Sequence, residues 1–273
     1  MLRLLPLASS SKGNAIYIGS EREGILIDAG IGPRTLSKAL ALGGVEGPSA
    51  IRAIFVTHEH SDHIKGLLKL TEQLDVPVYG SRETLVELVH KNAIAPTTKL
   101  FEINRKAVTA AEIETRAFTT SHDSAHSLGY RFTLPNGDTL AVCTDLGVVT
   151  PEVHAALSGS KTVLLESNYD RNMLRDGPYP VFLKERIASE SGHLSNNDCA
   201  DELIALASTG TEHFVLGHLS EENNRPAIAT ETAVAALTGA GFMIQKDYTL
   251  FAAPKTSIGQ FVTLEPRKEL PYA

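Results

Sequence analysis

I-F-V-T-H-E-H-S-D-H-I-K-G-L, residues 54–67, is the stretch on which the reading of this chain turns. An apolar run of strand character breaks into three histidines and two acids within six positions, and hydrophobic periodicity then resumes. Polar and charged groups beside a buried strand are costly unless something pairs with them. His58 and His60 are two apart and can point together from an extended exit loop. Asp62 and His63, near the start of the following helix, can face a second point close by. Imidazole and carboxylate suit borderline cations such as Zn²⁺ or Mn²⁺, and the lack of cysteine leans away from a purely structural zinc site. Two divalent metal ions are implied. A lone histidine there would read as part of a polar surface turn, but four ligand-type side chains in six positions overturn that reading.

Working outward, 273 residues with 42% hydrophobic and 21% charged content describe an ordinary globular chain able to bury a substantial core. No low-complexity tract, Pro-rich linker or solenoid-length repeat divides it, so residues 1–273 are read as a single domain. No apolar run reaches the roughly 18 residues of a membrane span, and the apolar piece at 4–8 is short and interrupted by Pro6. The expected location is the cytoplasm, with no membrane partner. Cys143 and Cys199 lie far apart in no C-x-x-C pattern and read as buried small hydrophobes. The net charge of −7 argues against a basic grip on nucleic acid over the whole surface. It leaves room for a local patch, or for metal ions to meet phosphate.

The first third alternates β-like runs, R-L-L-P-L-A, A-I-Y-I-G and G-I-L-I-D-A-G, with polar turns. Helices are expected at 34–42, 65–74, 82–92, 179–190, 197–207 and 227–238. Strands are expected at 77–79, 112–120, 129–134, 139–144 and 161–166. Such mixed elements suit an α/β arrangement, with helices packed outside sheets. Five apolar strands end in a residue able to bind a metal or a proton: I-F-V-T before His58, F-T-T-S before His122, L-A-V-C-T before Asp145, T-V-L-L before Glu166 and F-V-L-G before His218. If these ends share one edge of the fold, their polar groups converge on a site.

T-H-E-H-S-D-H resembles the H-x-H-x-D-H signature of the metallo-β-lactamase superfamily. S-S-S-K-G-N, L-I-D-A-G, T-S-H-D, C-T-D-L-G, L-L-E-S-N-Y-D, G-H-L-S-N and G-H-L-S-E-E-N-N, spread over about residues 9–224, are similar to the YycJ/WalJ group within it. The resemblance implies an αββα sandwich with a dinuclear centre in the groove between the sheets. It also implies His58, His60 and His122 around one ion, Asp62, His63 and His218 around the other, and Asp145 bridging them. Family members often carry histidine where this chain has Tyr169, a departure that bears on any proton transfer at that position.

G-H-L-S occurs twice, so His193 and His218 compete for the last ligand position. His218 follows the apolar run 214–216 and sits at a strand exit like the other ligands. His193 precedes S-N-N-D, where Ser195 and Asp198 have capping-box-like spacing, and so belongs to a loop entering a helix. The metal is therefore assigned to His218. His193 is left as a general acid on a leaving oxygen, a phosphate contact or simply a loop histidine. Asp62 and His193 are the candidate catalytic residues. Ser10, Lys12, Asn14, Arg171 and Asn223 are candidate substrate contacts. Asp28 sits where a carboxylate can orient a ligating imidazole. His126 is a candidate for the mouth of the site, whereas His90, His154 and His213 read as solvated.

Bridging divalent cations lower the pKa of a bound water toward neutrality and offset charge building on the attacked group, so hydrolysis by a metal-bridging hydroxide is expected. The resembled group implies a phosphodiester substrate and 5′ to 3′ exonuclease action on DNA. Lys12, Lys65, Arg171, Arg175, Lys184 and Arg186 could form a track for a phosphate backbone, diluted by Asp170, Asp176 and Glu185. Only 72 residues separate Asp145 from His218, too few for the inserted domain of RNase J-like nucleases. The alternatives are a small-molecule hydrolase of a lactam, lactone or thioester, and a non-catalytic metal-bearing binding module. Oligomeric state is left open.

Overall fold

The computed structural model describes residues 2–104, 106–255 and 260–264. Strands β1 (Leu2–Ser10), β2 (Gly13–Gly19), β3 (Gly24–Ile27), β4 (Ile51–Phe55), β5 (Val78–Gly80) and β6 (Leu100–Glu102) lie side by side in one sheet. A second sheet runs in sequence order through β7 (Val108–Ala110), β8 (Ile113–Thr119), β9 (Leu128–Thr133), β10 (Thr139–Cys143), β11 (Thr162–Glu166), β12 (His213–Gly217) and β13 (Thr249–Ala252). β14 (Val262–Leu264) closes the first sheet beside β1.

Alternation of side chains along each strand assigns the two faces. In β4, Ala53 and Phe55 enter the core between the sheets. Ile54 and the following Val56 turn to the other face, where α1 (Pro33–Leu42), α3 (Leu67–Thr71) and α4 (Arg82–His90) supply Leu36, Leu40, Leu67, Leu70, Leu85 and Leu88. In β10, Leu140 and Val142 join the same central core. Ala141 and Cys143 face a third cluster built with α5 (Pro151–Leu157), α8 (Asn196–Ser208) and α9 (Pro226–Gly239). Two sheets that are apolar on both faces need a helical layer on each outer side, which is the expected αββα sandwich. Phe55, fully buried at the centre, stacks on Tyr79 at 4.9 Å and meets Tyr130 edge-on at 5.6 Å. Burying a side chain of that size contributes about 1.5–3 kcal/mol.

Strand direction then places the functional ends. β10, β11 and β12 are mutually parallel, and β8 is antiparallel to β9, which is antiparallel to β10. β8 therefore points the same way as β10, and all four deliver their C-terminal loops to one edge of the second sheet. β3 and β4 are likewise parallel in the first. The two edges are tied together by backbone donation from Leu128 to Thr57 O at 3.0 Å and by the Tyr130 hydroxyl donating to Val56 O at 2.6 Å.

Helices α1, α4, α8 and α9 fall within two residues of their expected bounds. The expected helix at 65–74 is instead two short ones, α2 (Ser61–Ile64) and α3. The Gly66 N–H leaves the helical ladder to donate to Ala29 O at 2.8 Å, and a Cβ on Gly66 would stand 1.9 Å from Ile31 O. The helix at 179–190 shortens to α7 (Val181–Ile187), which begins after Pro180. α5 and α6 (Arg171–Asp176) are additional, each started by a side-chain cap, Thr150 and Asp170 respectively. Cys143 and Cys199 are free thiols, both fully buried. Among the described residues no helix is long and apolar enough to cross a membrane.

Tyr130→Phe removes the hydroxyl that joins the two sheets beneath residues 57–63. The expected loss is about 1–2 kcal/mol of unfolding free energy, read as a lower urea midpoint at unchanged slope. An unchanged midpoint would show that the bond adds nothing net.

Candidate metal centre

The site grows from strand ends with unusual backbone. Asp28, Asp145 and His218, which follow β3, β10 and β12, have φ of 58°, 59° and 53°. Left-handed backbone costs a residue with a Cβ roughly 1–3 kcal/mol. Here it swings each side chain out of the strand's own alternation and into the groove. Loop 28–31 is braced on the metal-binding stretch by Ala29 N–H donating to His63 O at 2.8 Å. A Cβ on Gly30 would lie 1.6 Å from Asp62 O, so only glycine allows this approach.

The side chains that result form one continuous pocket. His58, His60 and His122 make one set, and Asp62, His63 and His218 another; His58, His63 and Asp145 make a third, and Asp145, Glu166, His193 and His218 a fourth. Within each set the ligand-type atoms lie within 4.8 Å of one another. Asp145 stands in the middle. Its Oδ1 is 3.7 Å from His122 Nε2 and 3.5 Å from His218 Nδ1, and its Oδ2 is 3.2 Å from His63 Nε2 without a hydrogen bond. Asp62 Oδ2 is 3.3 Å from His218 Nε2 and 3.4 Å from His63 Nε2. His122 Nε2 is 3.3 Å from His60 Nδ1.

Several of the inward-facing rings are held from behind. His63 Nδ1 is 2.7 Å from Asp28 Oδ2, which also accepts from the Thr57 hydroxyl at 2.9 Å, while the Thr57 amide donates to Asp28 Oδ1 at 2.8 Å. His122 Nδ1 lies 2.9 Å from Gly192 O, and His58 Nδ1 3.0 Å from Thr57 Oγ1. With the rear nitrogen engaged, the other is left facing the pocket, as ligating imidazoles require. His58 Nε2 is buried with no hydrogen-bond partner. An orphaned imidazole nitrogen among carboxylates, in a set of imidazole and carboxylate donors, fits a divalent cation.

Electrostatics point the same way. Burial alone would raise the Asp145 pKa, but His218 and His63 pull it well below the usual carboxylate range. Burial opposes charge on His218, yet Asp145, Asp62 and Glu166 push it up to about 10. His63 is likewise raised well above the ordinary imidazole value by Asp145, Asp28 and Asp62 against its burial. Carboxylates at this depth require compensating positive charge.

Glu166, named above only as a strand end, holds two of the histidines. Its Oε1 is 2.7 Å from His218 Nδ1 and 2.9 Å from His193 Nδ1, and its Oε2 accepts from the amides of Leu146 and Leu194 at 3.0 and 3.1 Å. Burial disfavours its charge, but His193 and His218 hold its pKa down to about 2. Thr57 and Ser9, whose hydroxyl accepts from the His218 amide at 2.7 Å, each open a motif segment but were given no role from the sequence.

Several expected contacts lie elsewhere. Asn223 and Ser10 are fully buried and Asn14 is 3% exposed. Asn14 instead reaches inward, its Nδ2 3.2 Å from Asp62 Oδ2 and 3.0 Å from His63 Nε2. Arg171 pairs with Asp198 at 2.7 Å, Arg175 with Asp176 at 2.8 Å, Arg186 with Asp123 at 2.6 Å, and Lys12 with Glu221. Lys65 donates to Lys12 O and Lys184 to Arg175 O, so these residues form no free cationic stripe. His126 turns toward α4, its Nδ1 3.2 Å from Glu83 Oε2. His154 pairs with Glu202 at 2.9 Å, and His213 is half-buried at the start of β12, not solvated.

Residues 23–219 match the family described as the β-lactamase superfamily domain. The chain belongs to that superfamily. Exodeoxyribonuclease YycJ of Bacillus anthracis is 36% identical to it over 245 residues, 89% of this chain and 92% of that protein. Exodeoxyribonuclease WalJ of Streptococcus pneumoniae is 32% identical over 256 residues, covering 92% and 94%. The chain is thus a YycJ/WalJ-like hydrolase of the superfamily. Among solved structures, the metallo-β-lactamase fold protein YhfI of Bacillus subtilis aligns with a TM-score of 0.68 at 15% identity, over 94% of this chain and 98% of that one. Zn²⁺-bound PqqB of Methylobacterium extorquens gives 0.70 at 16%, over 97% and 100%. At these identities the likeness is one of fold.

Asp28→Asn keeps the shape but gives His63 Nδ1 a weaker partner. Metal affinity, measured by competition with a chromogenic chelator, is expected to fall about 10–100-fold. Affinity equal to that of the parent would show that Asp28 does not orient a ligand.

Proposed function

We propose that the protein is a dinuclear metal-dependent phosphodiesterase that degrades DNA from 5′ ends, acting in the cytoplasm as one domain over residues 1–273. The reading is carried by one observation: an exodeoxyribonuclease is matched along 92% of its own length by a chain in which the seven side chains expected as ligands lie among the converging clusters. In this reading His58, His60 and His122 hold one Zn²⁺ or Mn²⁺, Asp62, His63 and His218 hold the second, and Asp145 lies between. Cations bound there supply Lewis acidity, lowering the pKa of water and offsetting charge on the attacked phosphate.

The chain's own groups then divide the work. Burial opposes the Asp62 charge, but His63 and His218 hold its carboxyl far below the usual range. It is thus ionised and able to accept a hydrogen bond from the attacking water and orient it. As the water oxygen bonds to phosphorus, the P–O bond to the neighbouring nucleotide breaks and the departing oxygen needs a proton. His193, 20% exposed at its side chain, keeps Nδ1 on Glu166 and offers Nε2 for that transfer. Tyr169 is 6% exposed, and burial raises its phenol above the ordinary value, which disfavours it as a second proton donor. The full-length exodeoxyribonuclease relatives favour a phosphodiester over a lactam, lactone or thioester.

The test is release of label from 5′-labelled duplex DNA across Zn²⁺, Mn²⁺ and Mg²⁺, with a chromogenic lactam in parallel. Metal-dependent release of nucleotides from the labelled end is expected, and rapid lactam turnover with inert DNA would move the substrate to the small-molecule class. Asp145→Ala should lose bound metal together with cleavage; full two-metal content by elemental analysis would contradict its bridging place. His193→Ala should keep both metals and slow cleavage by about 10²–10⁴-fold. An unchanged rate would return His193 to a plain loop role.

A further inference from the structure

α7 buries none of its seven residues, although it lies beside the metal-capable pocket. Val181 is 70% and Phe182 72% exposed, the highest values for large apolar side chains among the described residues. Their place is fixed at both ends. Arg186, one helical turn beyond Phe182 and on the same face, binds Asp123, whose Oδ1 is 3.6 Å from His122 Nε2. The C-terminal end continues into the site, since Ile187 O accepts from the His193 amide at 2.9 Å. Just before α7, half-buried Tyr179 has its phenol raised first by burial and then by the charges of Glu222 and Glu221, with Lys12 opposing. α7 therefore lies on the His122 side of the metal-capable cluster, with exposed Phe182 one turn from the Arg186 guanidinium.

An exposed aromatic beside a phosphodiesterase centre has a specific use, because every nucleobase has a face that stacks on it whatever its sequence. The exposed pairs Lys12–Glu221 and Arg186–Asp123 are worth little to stability, so either cation can exchange its carboxylate for a backbone phosphate. We infer that Phe182 is a stacking platform for unpaired bases of a DNA strand whose backbone enters the metal centre. This inference rests on the nuclease reading above and makes Phe182 a determinant of preference for single-stranded ends, since a base inside a duplex cannot offer its face.

The test uses the metal-loaded protein and a single-stranded oligonucleotide with cleavage-resistant phosphorothioate linkages and 2-aminopurine near the 5′ end. Binding to the parent should quench 2-aminopurine. Phe182→Ala should abolish the quench and weaken binding about tenfold, with metal content and melting midpoint unchanged. Phe182→Trp should restore both signals and Phe182→Leu neither. An oligonucleotide abasic at the same positions should bind parent and Phe182→Ala alike. Equal quench and affinity for parent and Phe182→Ala would overturn the inference while leaving the nuclease reading intact, and would assign this apolar face to another partner. Failure of the nuclease reading itself looks different, because the parent then neither binds nor cleaves any strand.

Discussion

Asp145 is the group on which the rest of the site depends. It is 1% exposed, sits on strained backbone, and has His63, His122 and His218 within 3.7 Å of its oxygens. A carboxylate so placed is unstable unless positive charge surrounds it. The imidazoles serve that need, and Asp28 and Glu166 serve the imidazoles in turn. Asp28 and Glu166 satisfy the rear nitrogens of the rings inside them, while His58 Nε2 and Asp145 Oδ2 are left facing the groove without a hydrogen bond.

The fold supports this at a cost that is visible locally. Asp28, Asp145 and His218 have φ above zero at strand ends, and His58 Nε2 is buried without a partner. Such features persist where surrounding structure over-determines them. Here that structure is the inter-sheet core around Phe55, the Tyr130 to Val56 tie and the close approach at Gly30. The central apolar core thus holds an otherwise unfavourable arrangement of charge in a shape ready for cations. The rim obeys different physics, with exposed ion pairs and uncovered apolar side chains on α7 that cost little to rearrange.

Much of this was legible in the chain itself. Residues 58–63 announce metal-ligand chemistry through density of ligand types, and His122, Asp145, Glu166 and His218 each follow an apolar run. Period-two strands and capped helices made the layered α/β class readable, because those patterns come from local geometry. Depth of burial was not legible. Ser10, Asn14 and Asn223 stand near motif segments, but proximity in sequence carries no sign of burial, and all three lie beneath the surface. The break at Gly66 was hidden for a similar reason, since its cause is a carbonyl of residue 29.

Which side chains can bind a cation, and on which kinds of element they are displayed, is written in residue type and periodicity, because both are local properties. Only the tertiary structure decided how they combine: that β8 runs parallel to β10 and brings His122 to the groove, that Glu166 serves His193 and His218 together, and that the basic residues spend their charge on neighbouring acids. Those outcomes follow from strand direction and from distances between residues tens of positions apart. Such contacts form only when the two sheets close on their shared core.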